Sequence, residues 1–294
     1  MLNAQQLGAS LYVPATHKDL LTIANGHKWP ALRSVIFCTE DTVAPGELEF
    51  ALENLAVCLL EMSIESRLLR FVRVRNPAVM AQVLAMPGVD KLDGLVFPKV
   101  TQNKLDEYFN PLVGSNLLTM VTLETVEVFD TQKMIALREH LLANNYQERI
   151  LALRIGGNDL LSILGIRRPR NMTIYRTPLG HTIAQIVTIF KPYGFNLTAP
   201  VFEHIERPDI LEAEILEDIA HGLCGKTAIH PTQVPLIESH YCISPGDVEA
   251  AYHILEGKRA VFKFNGSMCE VATHHAWARN VIELAQVYDN TLPG

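Results

Sequence analysis

Eight short apolar runs of β type alternate with amphipathic helical stretches along most of the chain, and this alternation limits the fold more than any other feature. The runs are Ser10–Pro14, Ser34–Cys38, Leu69–Val74, Gly94–Lys99, Leu117–Leu123, Ile150–Ile155, a weaker one around Asn196–Val201, and Gly225–Ile229. Between them Pro45–Met62, Thr131–Ala143, Pro178–Tyr193 and Pro208–Cys224 carry the apolar spacing of helices. Strands alternating with helices predict a parallel sheet, and runs that are apolar almost throughout predict burial on both faces. Eight such units over about 230 residues match a (β/α)8 TIM barrel, an α/β fold. An open doubly wound sheet is the rival architecture, but no Gly-x-Gly-x-x-Gly follows the first run. The predicted catalytic domain is 1–243. Residues 244–294 read as a C-terminal helical extension of the same structural unit: a helix from Pro245 to Gly257, a short polar hairpin, and a last helix from about His275 to Tyr288.

A chain of 294 residues holds such a barrel as one domain. The formal charge of −7 argues against a broad nucleic-acid surface. The five cysteines are odd in number and lack Cys-x-x-Cys spacing, which predicts buried thiols in a reducing, cytoplasmic setting. No secretory leader is legible, and no apolar run approaches the ~20 residues of a membrane helix.

The chemistry-bearing residues gather just past the ends of the runs: Glu40, Asp41, Arg73, Arg75, Lys99, Glu124, Asp159 and His230. In a barrel that is the C-terminal mouth, where active sites sit. Glu124 and Asp159 are one strand–helix–strand crossover apart, so both carboxylates come to the same end of the sheet. Two carboxylates with little else nearby suit Mg2+, which takes oxygen ligands and keeps several waters. Structural roles stand beside these readings. Asp159 has the position of a helix cap. Lys99 and Lys226 either orient mouth carboxylates or meet substrate. His230-Pro231 reads chiefly as a turn, and Arg75 and Asp41 as solvated rim charges. The cluster Arg167-Arg168-Pro169-Arg170 reads as a solvated loop, with phosphate binding as the alternative. His274 and His275 are adjacent on a helix and point apart, so they are no metal pair.

Five segments in order carry a resemblance: Cys38-Thr39-Glu40-Asp41-Thr42-Val43-Ala44-Pro45, Phe97-Pro98-Lys99-Val100, Leu123-Glu124-Thr125, Gly156-Gly157-Asn158-Asp159-Leu160, and Gly225-Lys226-Thr227-Ala228-Ile229-His230-Pro231-Thr232-Gln233. The last is similar to a Gly-Lys-x-x-Ile-His-Pro-x-Gln block. Together they resemble the citrate lyase beta-subunit-like branch of the HpcH/HpaI aldolase superfamily, over nearly the whole length. The resemblance implies a Mg2+-dependent carbon–carbon lyase, of oxo-acid-lyase type, that cleaves or forms 3-hydroxyacyl thioesters. It implies Glu124 and Asp159 as metal ligands, Arg73 as the clamp on enolate and carboxylate, and Glu40 and Asp41 as supporting catalytic groups. Lys99, Gly157 and Lys226 are implied at the substrate. Asn265-Gly266-Ser267-Met268-Cys269-Glu270 resembles a lid whose carboxylate, here Glu270, serves a neighbouring subunit as acid or base. The implied partners are a small acyl thioester on CoA or a carrier arm, or a 2-oxo acid, in a homo-oligomer (trimer or hexamer). A class II aldolase acting on a free 2-oxo acid, or a specialised subunit of a biosynthetic complex, are the alternatives. The chain departs from the family at Gly8, where an arginine is usual, at Cys38, where an aspartate is usual, and at Arg75, which stands two residues after Arg73 where an asparagine is usual, by a change or an insertion. These departures imply a substrate other than plain citryl-CoA.

Overall fold

The computed structural model describes residues 2–257, 259–264 and 266–287. Asn265 of the expected lid and Tyr288, the expected end of the last helix, lie outside them. The chain divides into two compact units, Met1–Ile237 and Glu238–Gly294, so the boundary expected after residue 243 falls inside the second unit.

In the first unit eight strands follow one another: β1 (Ala9–Pro14), β2 (Ser34–Cys38), β3 (Leu69–Arg73), β4 (Gly94–Phe97), β5 (Leu118–Leu123), β6 (Ile150–Ile155), β7 (Leu197–Thr198) and β8 (Lys226–Ala228). The helices between and after them are α1 (Leu20–Ala24), α2 (Leu48–Glu61), α3 (Pro77–Leu84), α4 (Leu105–Phe109), α5 (Thr131–Ala143), α6 (Gly157–Ile163), α7 (Leu179–Phe190), α8 (Pro208–Ala220) and α9 (Val234–Tyr241). The strands pair in parallel in the order β7-β6-β5-β4-β3-β2-β1-β8. A further parallel bridge, Ala199 to Lys226, joins the two ends of that row, with the Ala199 N–H donating to the Gly225 carbonyl at 3.0 Å. The fold is a TIM barrel. The seventh strand is much shorter than the run 196–201 suggests, because Pro200 has no N–H to give a ladder.

Local chemistry sets the helix starts. Asp130 Oδ1 accepts the N–H groups of Gln132 and Lys133 at the head of α5, and Asn76 caps α3 through the Val79 N–H ahead of Pro77. Each side chain satisfies a donor that has no partner inside its helix. At the seam between β1 and β8, Gly8 has φ +51 and Gly225 φ +83. Gly8 O accepts the Lys226 N–H at 2.9 Å, and a Cβ on Gly225 would lie 2.5 Å from that same oxygen. Left-handed backbone and close approach both call for glycine there.

Inside the barrel Ile36, Phe71, Val96, Met120 and Ala152 form one buried cluster with Ala4 and Leu7 from the segment before β1. Side chains two residues apart on a strand share a face, so the next inward positions are Arg73 after Phe71, Thr122 and Glu124 after Met120, and Arg154 and Gly156 after Ala152. The lumen therefore changes from apolar to charged toward the strands' C-terminal ends.

The second unit contains α10 (Pro245–Glu256), an antiparallel hairpin of β9 (Val261–Phe264) and β10 (Ser267–Glu270), and α11 (Val271–Val287). It has its own core of Val248, Ala251, Ile254, Cys269, Ala278, Val281 and Ala285. Among the described residues no helix is long and apolar enough to cross a membrane.

Candidate active site

Glu124 follows the last residue of β5 and is 4% exposed. Its Oε1 accepts the backbone N–H of Lys99 at 2.8 Å and lies 3.4 Å from Nη2 of Arg73. Lys99 offers that N–H from a left-handed conformation, φ +50. Such backbone costs a non-glycine residue about 1–3 kcal/mol and tends to sit at functional sites. Asp159, in the first turn of α6, faces Glu124 closely enough that its charge acts on it. Burial, and then the Asp159 charge, raise the Glu124 pKa to about 7 against the opposing pull of Arg73. The helix begins one residue after Gly156, whose own φ is −84. A Cβ on Gly156 would stand 2.3 Å from Glu124 Cβ and 2.5 Å from its Oε2, so Glu124 lies where a side chain at 156 would be.

Arg73, at the end of β3, bridges three carboxylates: Glu40 at 2.6 Å, Asp41 at 3.0 Å and Glu124 at 3.4 Å. Lys99 Nζ completes the group with ion pairs to Glu40 and, at 2.9 Å, to Asp41. Burial and its hydrogen bond with Asp41 push the Glu40 pKa up. Asp41 is held low by its bonds to Glu40 and Lys99, although its partial burial acts the other way. Arg73 Nε and the hydroxyl of Thr125, the residue after Glu124, are buried with no partner. Buried polar atoms are nearly always paired, so these two mark room for a polar ligand beside the carboxylates.

The expected site residues do not all meet. Glu40, Asp41, Arg73, Lys99, Glu124 and Asp159 gather at one mouth. Asp41 is no free rim charge, and neither is Arg75. Its guanidinium reaches back to the carbonyls of Thr39 (3.0 Å), Glu40 (3.1 Å) and Val43 (2.6 Å), pinning the loop after β2. Gly157 is buried, and a Cβ on it would crowd Pro200 and Ile174 at 2.8 and 2.9 Å, so packing alone explains the glycine. Lys226 corrects the expectation of substrate contact. It is 1% exposed, and its Nζ bonds Glu214 at 2.9 Å and Asp218 at 2.7 Å on α8, outside the barrel. The register explains the miss: Thr227, one residue on, takes the lumen face, and neighbours on a strand point oppositely. Arg168, expected in a solvated loop, joins the same network, with Nη1 at 2.9–3.0 Å from both Glu214 oxygens. His230 turns the chain after β8 and accepts the Thr232 N–H on its ring at 3.3 Å. Glu270 closes β10 in the second unit.

The donor set suits magnesium. Glu124 and Asp159 offer hard carboxylate oxygens, and a cation held by the pair would offset the repulsion of Asp159 on Glu124. Among the described residues no three or more His, Cys, Asp or Glu side chains converge as a closed cage. Mg2+ is commonly held by one or two carboxylates, its other positions being left to water and substrate.

A family model described as C–C bond lyase of the TIM-barrel fold matches residues 1–289. The chain belongs to this carbon–carbon bond lyase family. Among characterised proteins it is similar to a (3S)-malyl-CoA thioesterase of Cereibacter sphaeroides, 26% identical over 244 residues, which are 82% of this chain and 79% of that protein. Among solved structures it is similar to CitE of Mycobacterium tuberculosis in complex with magnesium, acetoacetate and coenzyme A. The TM-score is 0.68 at 19% identity, over 96% of this chain and 99% of that one. RipC of Yersinia pestis superposes with a TM-score of 0.64 at 17% identity, over 84% of this chain and all of that one (100%). These two likenesses concern the fold. Within the lyase family frame, three residues that sequence reasoning passed over shape this site: Gly156 beneath Glu124, Tyr12 under Arg73 with its ring 5.6 Å from the guanidinium, and Thr125. Gly156 had a signal, a second glycine ahead of Asn-Asp; a tyrosine inside an apolar strand had none.

Proposed function

We propose that the chain is a Mg2+-dependent lyase that cleaves or forms the carbon–carbon bond of a 3-hydroxyacyl thioester. The observation that carries this is the buried Glu124 facing Asp159, beside an Arg73 whose Nε has no protein partner. Glu124 and Asp159 would hold the ion, which supplies a Lewis acid for the oxygens of the hydroxy or oxo acid. Arg73 is permanently charged and holds the developing enolate oxygen, in a water-poor site where such contacts are strongest. Lys99 and Arg73 clamp Glu40 and Asp41, so the guanidinium keeps one orientation through the reaction. Glu270 is proposed as the proton donor to the enolate carbon, delivered from the hairpin of a neighbouring copy. The magnesium and coenzyme A complex of the M. tuberculosis protein and the malyl-CoA thioesterase relative both support a thioester substrate.

The relative also favours a second reading, thioester hydrolysis at the same mouth. A panel of 3-hydroxyacyl-CoA thioesters with Mg2+, run on the wild type and on Asp159→Asn, separates the two. Cleavage releases an oxo acid together with a shorter acyl-CoA; hydrolysis releases free CoA and leaves the carbon chain intact. Turnover by both proteins, or by neither, counts against a metal-dependent site here.

A further inference from the structure

Below the carboxylates, Arg154 of β6 is 2% exposed. Its Nη2 donates to Thr227 Oγ1 at 2.5 Å, its Nη1 lies 3.6 Å from Met120 Sδ, and its guanidinium sits 5.5 Å from the Tyr12 ring. The same ring carries Arg73 at 5.6 Å. The two arginines differ in what faces them. Arg73 has three carboxylates, whereas Arg154 has no carboxylate partner among the described residues. A guanidinium does not shed its proton, and a buried charge without a counter-charge is strongly unfavourable. The neighbours of Arg154 are also polar and unsatisfied. Strand register sets Thr122 of β5 and Thr198 of β7 on either side of it. Both of their hydroxyls are buried with no hydrogen-bond partner. Beneath them lies the apolar cluster around Phe71 and Leu7, so the polar side of the lumen is the mouth.

We propose that Arg154, with Thr122, Thr198 and Thr227, forms an inner anion subsite that takes a carboxylate group of the substrate. Guanidinium and hydroxyls together give a fork plus donors around the oxygens, the arrangement that grips a carboxylate. The inference rests on the reading of Glu124 and Asp159 as the pair that holds the substrate's other end.

Calorimetric titration of the Mg2+-loaded protein with succinate and with butyrate, which has the same carbon chain and one acid group, tests this directly. The wild type is expected to bind succinate at least tenfold tighter than butyrate. Arg154→Met should lose at least tenfold in succinate affinity, keep butyrate within twofold, and melt no lower, since it removes an uncompensated charge. Thr198→Val, a near-isosteric change, should weaken succinate about threefold, and it answers the question if the methionine variant does not fold. Equal affinity for the two acids in the wild type overturns the proposal, as does unchanged succinate binding in the variants. A Mg2+ titration of Asp159→Asn is read separately. If that variant keeps its Mg2+ affinity the lyase reading falls, while the succinate-to-butyrate ratio still judges Arg154.

Discussion

Replacing Gly156 with alanine asks whether the position of Glu124 is set by an absent side chain. The φ of −84 is open to alanine, so the backbone raises no objection. Space does. The new Cβ would stand 2.3 Å from Glu124 Cβ, where carbon atoms settle at about 3.5–4.0 Å, so one of them must move by roughly 1.2–1.7 Å. Overpacking of this kind costs about 1–3 kcal/mol. Pulling Glu124 from the Lys99 N–H forfeits a hydrogen bond to a charged group, about 1.5–3 kcal/mol. Relaxation shares the two costs, and we expect about 3 kcal/mol in all. For a unit of this size that lowers the melting temperature by about 6–12 °C. Mg2+ affinity should fall about 10–100-fold, as when a ligand loses its support. Gly46→Ala is the control, since a Cβ there meets nothing within 4 Å. Thermal melts and Mg2+ titrations of both variants give the answer. If Gly156→Ala melts and binds Mg2+ like Gly46→Ala, the steric account of Glu124 is wrong.

Three further outcomes follow from the same geometry. Lys226→Ala leaves Asp218 buried without its cation and Glu214 with Arg168 alone, and should cost about 3–5 kcal/mol in urea unfolding, with Mg2+ affinity unchanged; a selective loss of substrate affinity would return Lys226 to the site. In metal-free protein, Glu124 holds its proton up to about pH 7 when folded and to about pH 4.5 when unfolded. Between those values the folded state binds more protons, so this group makes stability fall as pH rises. The fall should be largely removed by saturating Mg2+ and absent in Glu124→Gln, as read from unfolding curves across that range. Arg75→Ala frees three carbonyls of the loop after β2 and should cost about 2 kcal/mol. It should also speed proteolysis within residues 39–45, and a loop cut no faster than in the wild type would refute the pinning role.

The barrel was legible because its strands are nearly continuous apolar runs: Ser34–Cys38 and Ile150–Ile155 stand in the structure with the bounds read from sequence, as does the helix Thr131–Ala143. The last helix starts earlier than expected, at Val271, because its first turn grows directly out of β10, where the Glu270 N–H donates to His274 Nδ1 at 3.0 Å. The mouth was legible in outline, since strand ends mark it. What sequence could not show was the direction of single charged side chains. Lys226 opens β8 and points to α8, whereas Lys99 follows the end of β4 and reaches the mouth carboxylates; within a strand a one-residue step reverses the face. Arg154 and Arg168 look like surface charges in a one-dimensional reading. Only tertiary neighbours show how they are held inside: Glu214 pairs with Arg168, and Thr227 and the Tyr12 ring meet Arg154.

The seam of Gly8 and Gly225 has a consequence for the birth of the molecule. β1 finds β2 within a few seconds of synthesis, but its other partner, β8, is made almost at the end of the first unit. At about 5–20 residues per second the wait is roughly 10–40 s. Throughout it, the first strand has an open edge of N–H and C=O groups, the feature that lets nascent chains pair with one another. Ring closure itself adds little entropy cost, since each doubling of loop length costs only about 0.6 kcal/mol. The hazard is therefore one of timing, and it ends when Lys226 donates its N–H to Gly8. Slower translation of the stretch just before β8 would lengthen the exposure, and a chaperone that shields β1 would shorten it.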